Sequence, residues 1–170
     1  LVPQVLDQLA RCDRALSRRG GSVLLVGRSG VGRRNAAELV AHSHGTRTFK
    51  LNSAHEFSLK LFHQELKQVL QVAGVEGDHA LLMLEDHHML DSAVLETVNS
   101  LLSSGEVPGL YTHEELEPLL APLKELMLDE GAGEFRNTTE FFVSRIQRNL
   151  HVALVMDNAH PRFLVNCEYN

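Results

Sequence analysis

The residues best suited to chemistry are Gly27-Arg28-Ser29-Gly30-Val31-Gly32-Arg33-Arg34. Two glycines, Gly27 and Gly32, stand five apart, after an apolar run and before an apolar-periodic stretch. This is the glycine spacing of a phosphate-binding loop of the Walker A kind, which ordinarily ends in Lys and then Ser or Thr. Glycines are needed because successive backbone N–H groups must converge on phosphate oxygens. The helix that follows adds the partial positive charge of its N-terminus. Two positions depart from the pattern. Arg33 replaces the lysine, keeping the charge on a larger planar fork. Arg34 replaces the hydroxyl that would ligate Mg²⁺, and a guanidinium has only donors to offer. Anion binding therefore survives while magnesium coordination is weakened. The alternative is a glycine-rich strand-to-helix turn with no ligand.

A second cluster is Leu81-Leu82-Met83-Leu84-Glu85-Asp86, an apolar run ending in two acids. In P-loop NTPases the acid at this point, normally Asp, holds Mg²⁺. Here Glu85 takes the metal position and Asp86 the position of a catalytic base. A third cluster is Asp157-Asn158, at the end of another apolar run. Either could reach the γ-phosphate as a polar sensor. Asp157 would set a carboxylate against a polyanion, whereas Asn158 would leave a more ordinary site, and the residues leave that choice open. Each acidic pair could instead be a polar strand terminus without a ligand.

Those residues need strands and helices to hold them. Residues 22–26, 46–51, 79–84 and 151–156 read as strands, the first and third as unbroken apolar runs of the kind buried on both faces and the fourth as another buried strand. Apolar residues at three- and four-residue spacing predict helices over 2–18, from 36 to about 44, 57–74, 94–102 and 138–150. Strands alternating with helices predict a doubly wound parallel α/β sheet. Residues 104–137 carry Gly105, Pro108-Gly109, Pro118, Pro122, Gly131 and Gly133 as turn signals around a leucine-rich helical piece. They read as an insert between core elements.

The 170 residues, 44% hydrophobic, are one domain's length with enough apolar mass for a core. A net charge of −6 argues against a nucleic-acid partner. No run of about 20 apolar residues predicts a membrane span. Cys12 and Cys167 alone make no disulfide framework and suit a reducing, intracellular setting. The closest histidine sets, His42/His44 and His87-His88, lack further ligands at metal-site spacing, and neighbours on a strand end should point apart. The acidic stretch from Glu114 to Glu130 reads as a solvated face. An initial Leu and an abrupt final FLVNCEYN suggest a fragment of a longer chain.

Leu101-Leu102-Ser103-Ser104-Gly105-Glu106-Val107-Pro108-Gly109-Leu110-Tyr111 resembles the L-L-x-x-G-E-V-P-G-L-[FY] stretch of dynein heavy chains, in the fourth AAA+ module of the motor ring. Arg145-Ile146-Gln147-Arg148-Asn149-Leu150-His151-Val152 resembles the helix and sensor strand of that module. GRSGVGRR is similar to its degenerate Walker A loop in the cytoplasmic dynein of intraflagellar transport. The resemblance runs from Ser22 to Asn170. It implies a P-loop NTPase (AAA+) fold, truncated before the last core strand and the helical lid. Residues 1–170 would then be a single large-subdomain fragment. Its parts would be an N-terminal helix and linker (1–21), the P-loop to the Walker B helix (22–103), an insert before the sensor strand (104–137), and the sensor helix and strand (138–170).

By the same resemblance the module binds ATP or ADP and regulates a motor whose first module drives stepping. Its partners would be the neighbouring AAA+ modules of the same chain, other dynein subunits, and the microtubule through the parent motor's stalk. The setting would be cytoplasm, cytoskeleton and cilium, in retrograde transport. In AAA+ ATPases the second acid is normally Glu and polarises the attacking water; Asp86 is one methylene shorter. Arg34, the inverted Glu85-Asp86 pair and Asp157 all disfavour magnesium-assisted hydrolysis. The expectation is a nucleotide-binding module with weak or absent hydrolysis. The alternatives are a working ATPase module and a purely structural one without nucleotide.

Overall fold

The computed structural model describes residues 3–27, 30, 32–51, 58–130 and 132–157. Among them the chain runs α1 (Pro3–Leu16), β1 (Val23–Gly27), α2 (Arg33–Ser43), β2 (Arg47–Lys50), α3 (Leu59–Leu70), β3 (Ala80–Glu85), α4 (Ser92–Ser104), α5 (His113–Asp129), α6 (Thr138–Asn149) and β4 (Leu150–Asp157). A π-helical segment, Gln71–Glu76, extends α3, and a 3₁₀ turn, Asp86–Leu90, follows β3. The four strands form one parallel sheet in the order β1-β4-β3-β2. The expected doubly wound α/β sheet is present.

The pleat sends alternate residues of the central strands to opposite faces. Leu81 and Met83 of β3, with Ala153 and Val155 of β4, pack against Cys12 and Leu16 of α1 and Ala37, Val40 and Ala41 of α2. Leu82, Leu84 and Val152 pack on the other face against Phe62, Leu66, Val98, Leu101, Phe141, Phe142 and Ile146, from α3, α4 and α6. The apolar runs over residues 80–84 of β3 and 152–156 of β4 are thus explained, since each strand has a strand on either side and helices on both faces.

β1 departs from expectation. It stands at the edge of the described sheet, and Leu24 and Val26 are 52% and 38% exposed while Leu25 is buried. Its apolar run resembles a central strand, but its position covers only one face. The insert departs too. Pro118 and Pro122, expected to mark turns, lie inside the 17-residue α5. A Thr112 capping box starts that helix: Glu115 N–H donates to Thr112 Oγ1 at 3.3 Å, and Thr112 N–H donates to Glu115 Oε2 at 2.8 Å. Leu120 and Leu123 then pack it on the core. Glu115 also pairs with Lys67 of α3 at 2.8 Å, so one residue of the supposed solvated face is a tether.

The helix over 57–74 ends in the π-helical segment. Its released carbonyls are collected by α6. Arg145 Nε donates to Gly74 O at 2.8 Å, Arg145 Nη2 to Val75 O at 3.3 Å, and Asn149 Nδ2 to Ala73 O at 2.9 Å. Helix ends leave carbonyls unpaired, and buried ones must find donors. Arg145 and Asn149, four apart on one face of α6, supply them. Because α6 runs directly into β4, this clamp also fixes where β4 begins.

Candidate functional site

The register places the chemistry. In the parallel pairing Gly27 lies opposite Asp157, and Glu85 lies opposite Val155. The carboxyl ends of β1, β4 and β3 therefore meet at one edge of the sheet. The helix after β1 packs on one face and the helix after β3 on the other. Such a switch point opens a crevice where ligands bind in α/β sheets. A cleft of about 270 Å³ lies there, lined by Gly30, Gly32, Arg33, Arg34, Asn35, Glu85, Asp86, Val155 and Asp157.

The loop enters α2 through two left-handed residues, Gly30 at φ +83° and Gly32 at φ +75°. Space is not what demands glycine here, since a Cβ on either would meet nothing within 4 Å. The backbone conformation demands it. Gly32 is the N-cap of α2, and among the described residues no side chain caps the helix, so its first-turn amides at the cleft have no side-chain acceptor there. Gly27 is glycine for another reason. A Cβ there would stand 2.9 Å from Arg33 Nη1.

Arg33 is only 7% exposed, and its Nη1 donates to the carbonyl of Met156 on β4 at 2.9 Å. The cation in the lysine's place thus lies low in the cleft, passing over Gly27. Arg34, one residue on, turns the other way. Its Nη1 sits 2.8 Å from Glu85 Oε1. The side chain replacing the metal-ligating hydroxyl is therefore ion-paired with the acid of the metal position.

Glu85 is held from behind as well. Its N–H donates to His88 Nδ1 at 3.0 Å, while the His88 N–H donates to the Glu85 carboxylate, a reciprocal cap on the 3₁₀ turn. Burial, aided by the neighbouring His87, lowers the His88 pKa to about 4 against a weaker opposing pull from Asp86. The ring is therefore neutral near pH 7, as an acceptor Nδ1 requires. Asp86 Oδ1 accepts from the His87 N–H at 3.1 Å. Asp157 ends β4 at the cleft wall.

The structure thus brings Gly30, Gly32, Arg33, Arg34, Glu85, Asp86 and Asp157 around one cleft, with Gly27 beneath Arg33. Arg28, Ser29, Val31 and Asn158 lie outside the described residues. Sequence reasoning missed Asn35, which lines the cleft from the first turn of α2, and His88, which positions Glu85. A His three residues after a strand-end acid was the available signal for the second. His87 and His88 do not point apart as expected for a strand end. On the 3₁₀ turn their rings lie 3.9 Å apart between centroids.

Comparison with known proteins places this geometry in a family. Residues 1–168 match the family described as the P-loop containing dynein motor region D4. The cytoplasmic dynein 2 heavy chain 1 of Tripneustes gratilla is 53% identical over 168 residues, covering 98% of this chain and 4% of that protein. The protein of the same name from Homo sapiens is 51% identical over 170 residues, with 100% and 4% covered. The human dynein axonemal heavy chain 6 is 29% identical over 166 residues, with 95% and 4% covered. The chain spans about 4% of the length of these relatives. With a parallel sheet, a glycine loop at its switch point and a match of nearly full length, this chain belongs to the P-loop dynein motor D4 family.

Proposed function

We propose that the cleft holds an adenine nucleotide, ATP or ADP, and that the module hydrolyses it weakly or not at all, serving regulation within a microtubule motor. The observation that carries this is the Arg34–Glu85 ion pair at 2.8 Å in the cleft that Gly30 and Gly32 line. The loop can still gather main-chain N–H groups on phosphate oxygens. Arg33 adds a cation at the cleft floor. The acid that should hold the metal is engaged by a side chain instead. Asp86 is a shortened base, and a displacement on the order of 1 Å costs roughly a hundredfold in rate. Asp157 brings a further carboxylate toward the phosphates.

The reading extends to the whole motor. The module would sit between neighbouring AAA+ modules of the same polypeptide, act with other dynein subunits, and communicate with a microtubule through the stalk. Similarity to relatives named cytoplasmic dynein 2 supports retrograde transport in cilia as its setting, with cytoplasm and cytoskeleton as its compartments. The parts of the chain would be the fragment boundaries given above, with residues 104–137 as an insert.

The test uses the intact motor with its other nucleotide sites disabled. We expect one retained adenine nucleotide and turnover unchanged by Asp86→Asn. Loss of turnover in that variant would establish a working ATPase instead. A site that retains no nucleotide would leave only a structural spacer.

A further inference from the structure

We infer that the Arg34 guanidinium takes the place of Mg²⁺ at this site, so that nucleotide binds here in its metal-free form. The inference rests on the nucleotide-binding reading above and specifies which form of the nucleotide the cleft accepts.

The residues present do not fit magnesium. Mg²⁺ needs near-octahedral oxygen ligands at about 2.0–2.1 Å, and in P-loop sites these include a Ser or Thr hydroxyl and a strand-end acid. The hydroxyl position is Arg34, which has donors only. The acid is Glu85, and its carboxylate is engaged on two sides, by Arg34 Nη1 at 2.8 Å and by the His88 N–H. A dication at Glu85 would have to displace one guanidinium in a cleft that a second, that of Arg33, also lines. Like charges sharing one cleft repel.

The same geometry supplies a substitute. Arg34 is the second residue of α2, and its side chain is 59% exposed, so the contact with Glu85 leaves further N–H groups of the fork available. A guanidinium has five donors in fixed geometry and matches phosphate oxygens. In a conventional site a metal ion bridges the strand-end acid and the β-phosphate. Here a guanidinium held on that acid is placed to make the same bridge. It cannot supply the Lewis-acid polarisation that phosphoryl transfer uses. Tight binding and poor turnover then share one cause.

The experiment measures binding of a fluorescent ADP analogue to the intact motor domain, with the other nucleotide sites disabled, in excess MgCl₂ and in excess EDTA. We expect affinity in EDTA equal to or a few-fold tighter than in magnesium, because magnesium sequesters the free nucleotide. We expect Arg34→Thr to restore a metal requirement of at least tenfold. Adding MnCl₂ with ADP should broaden the spin resonance signal of bound Mn²⁺ in Arg34→Thr and not in the parent. A parent site that weakens tenfold or more in EDTA overturns the inference. So does an Arg34→Thr variant that stays indifferent to metal. Absence of binding in both buffers is a separate failure, that of the nucleotide reading itself. Arg34 is exposed, so the variant should fold; Glu85→Gln, which breaks the pair from the other side, should leave binding metal-independent.

Discussion

Replacing Arg145 by Leu tests whether the α6 clamp holds the sheet edge that carries the site. Arg145 is 8% exposed, and its Nε–Gly74 O bond at 2.8 Å is buried. A buried bond from a charged donor contributes roughly 2 kcal/mol, and the longer bond to Val75 O at 3.3 Å about 1. The guanidinium also lies 5.4 Å from the Phe141 ring centre, which adds about 0.5–1 kcal/mol. Its contact with Glu130, 4.0 Å away and 51% exposed, adds little. The substitution should therefore cost about 4 kcal/mol, a large share of the 5–15 kcal/mol typical of a domain. Hydrogen exchange on the intact motor would show it as roughly thousandfold faster opening in peptides covering 71–77 and 141–150. A change under tenfold would refute the clamp. A second substitution sharpens the test. A Cβ on Gly77, at φ +78°, would overlap Arg145 Nη2. Gly77→Ala should therefore cost more in the parent than the roughly 1–2 kcal/mol of left-handed strain. In the Arg145→Leu background only that strain should remain, and strict additivity would contradict the packing described.

Three further expectations follow from the same packing. Gly74→Ala puts a Cβ against the Phe142 ring, 2.6 Å from Cδ2, and should cost about 1–3 kcal/mol by overpacking, read as a lowered Tm of the module; Phe142→Leu should partly rescue it. Thr112→Ala removes one arm of the capping box and should cost about 1 kcal/mol, confined to exchange in α5. Acid should weaken the centre of the sheet. Burial lowers the pKa of both His88 and His151, the former from 6.5 to about 4. The unfolded chain then takes up protons first, so their stabilisation is complete above pH 6.5 and is lost as pH falls from 6.5 toward 4. For His88 alone the shift corresponds to about 3 kcal/mol. Protection of β3 and β4, corrected for intrinsic exchange, should drop between pH 7.5 and pH 5, and unchanged protection would reject this.

The elements that could be located from sequence were those whose own residues record their surroundings. Residues 80–84 and 152–155 are apolar without a break because β3 and β4 are covered on both faces, so their spans are legible to within a residue. Val23–Val26 carries the same kind of run at a sheet edge, and nothing in those residues distinguishes the two situations. Strand order belongs to the whole chain. α5 was legible as a leucine-rich helical piece, but its two prolines read as turn signals. Pro118 and Pro122 are local breakers, and about 3 kcal/mol is the ordinary cost of an interior proline. The Thr112 capping box and the Leu120 and Leu123 contacts outweigh them. The π-helical segment was out of reach because its carbonyl partners, Arg145 and Asn149, lie more than 60 residues away.

Spacing singled out the glycines, the two acids and the strand end, and their described members line one cleft; glycines at fixed offsets are what main-chain phosphate binding would require. What spacing could not convey is that two of the departures compensate each other. Arg34 and Glu85 are 51 residues apart, and each read separately is a lost metal ligand. They meet because β1 and β3 lie on either side of β4, which aligns Gly27 with Asp157 and Glu85 with Val155. An unpaired Arg34 beside an ordinary metal site would repel the ion. An unpaired Glu85 in a site without metal would repel the nucleotide. Joined at 2.8 Å they cancel, which removes both penalties and leaves the glycine loop free to hold phosphate. On the proposed reading, the pairing suits a site that keeps a nucleotide and dispenses with the ion that would help cleave it.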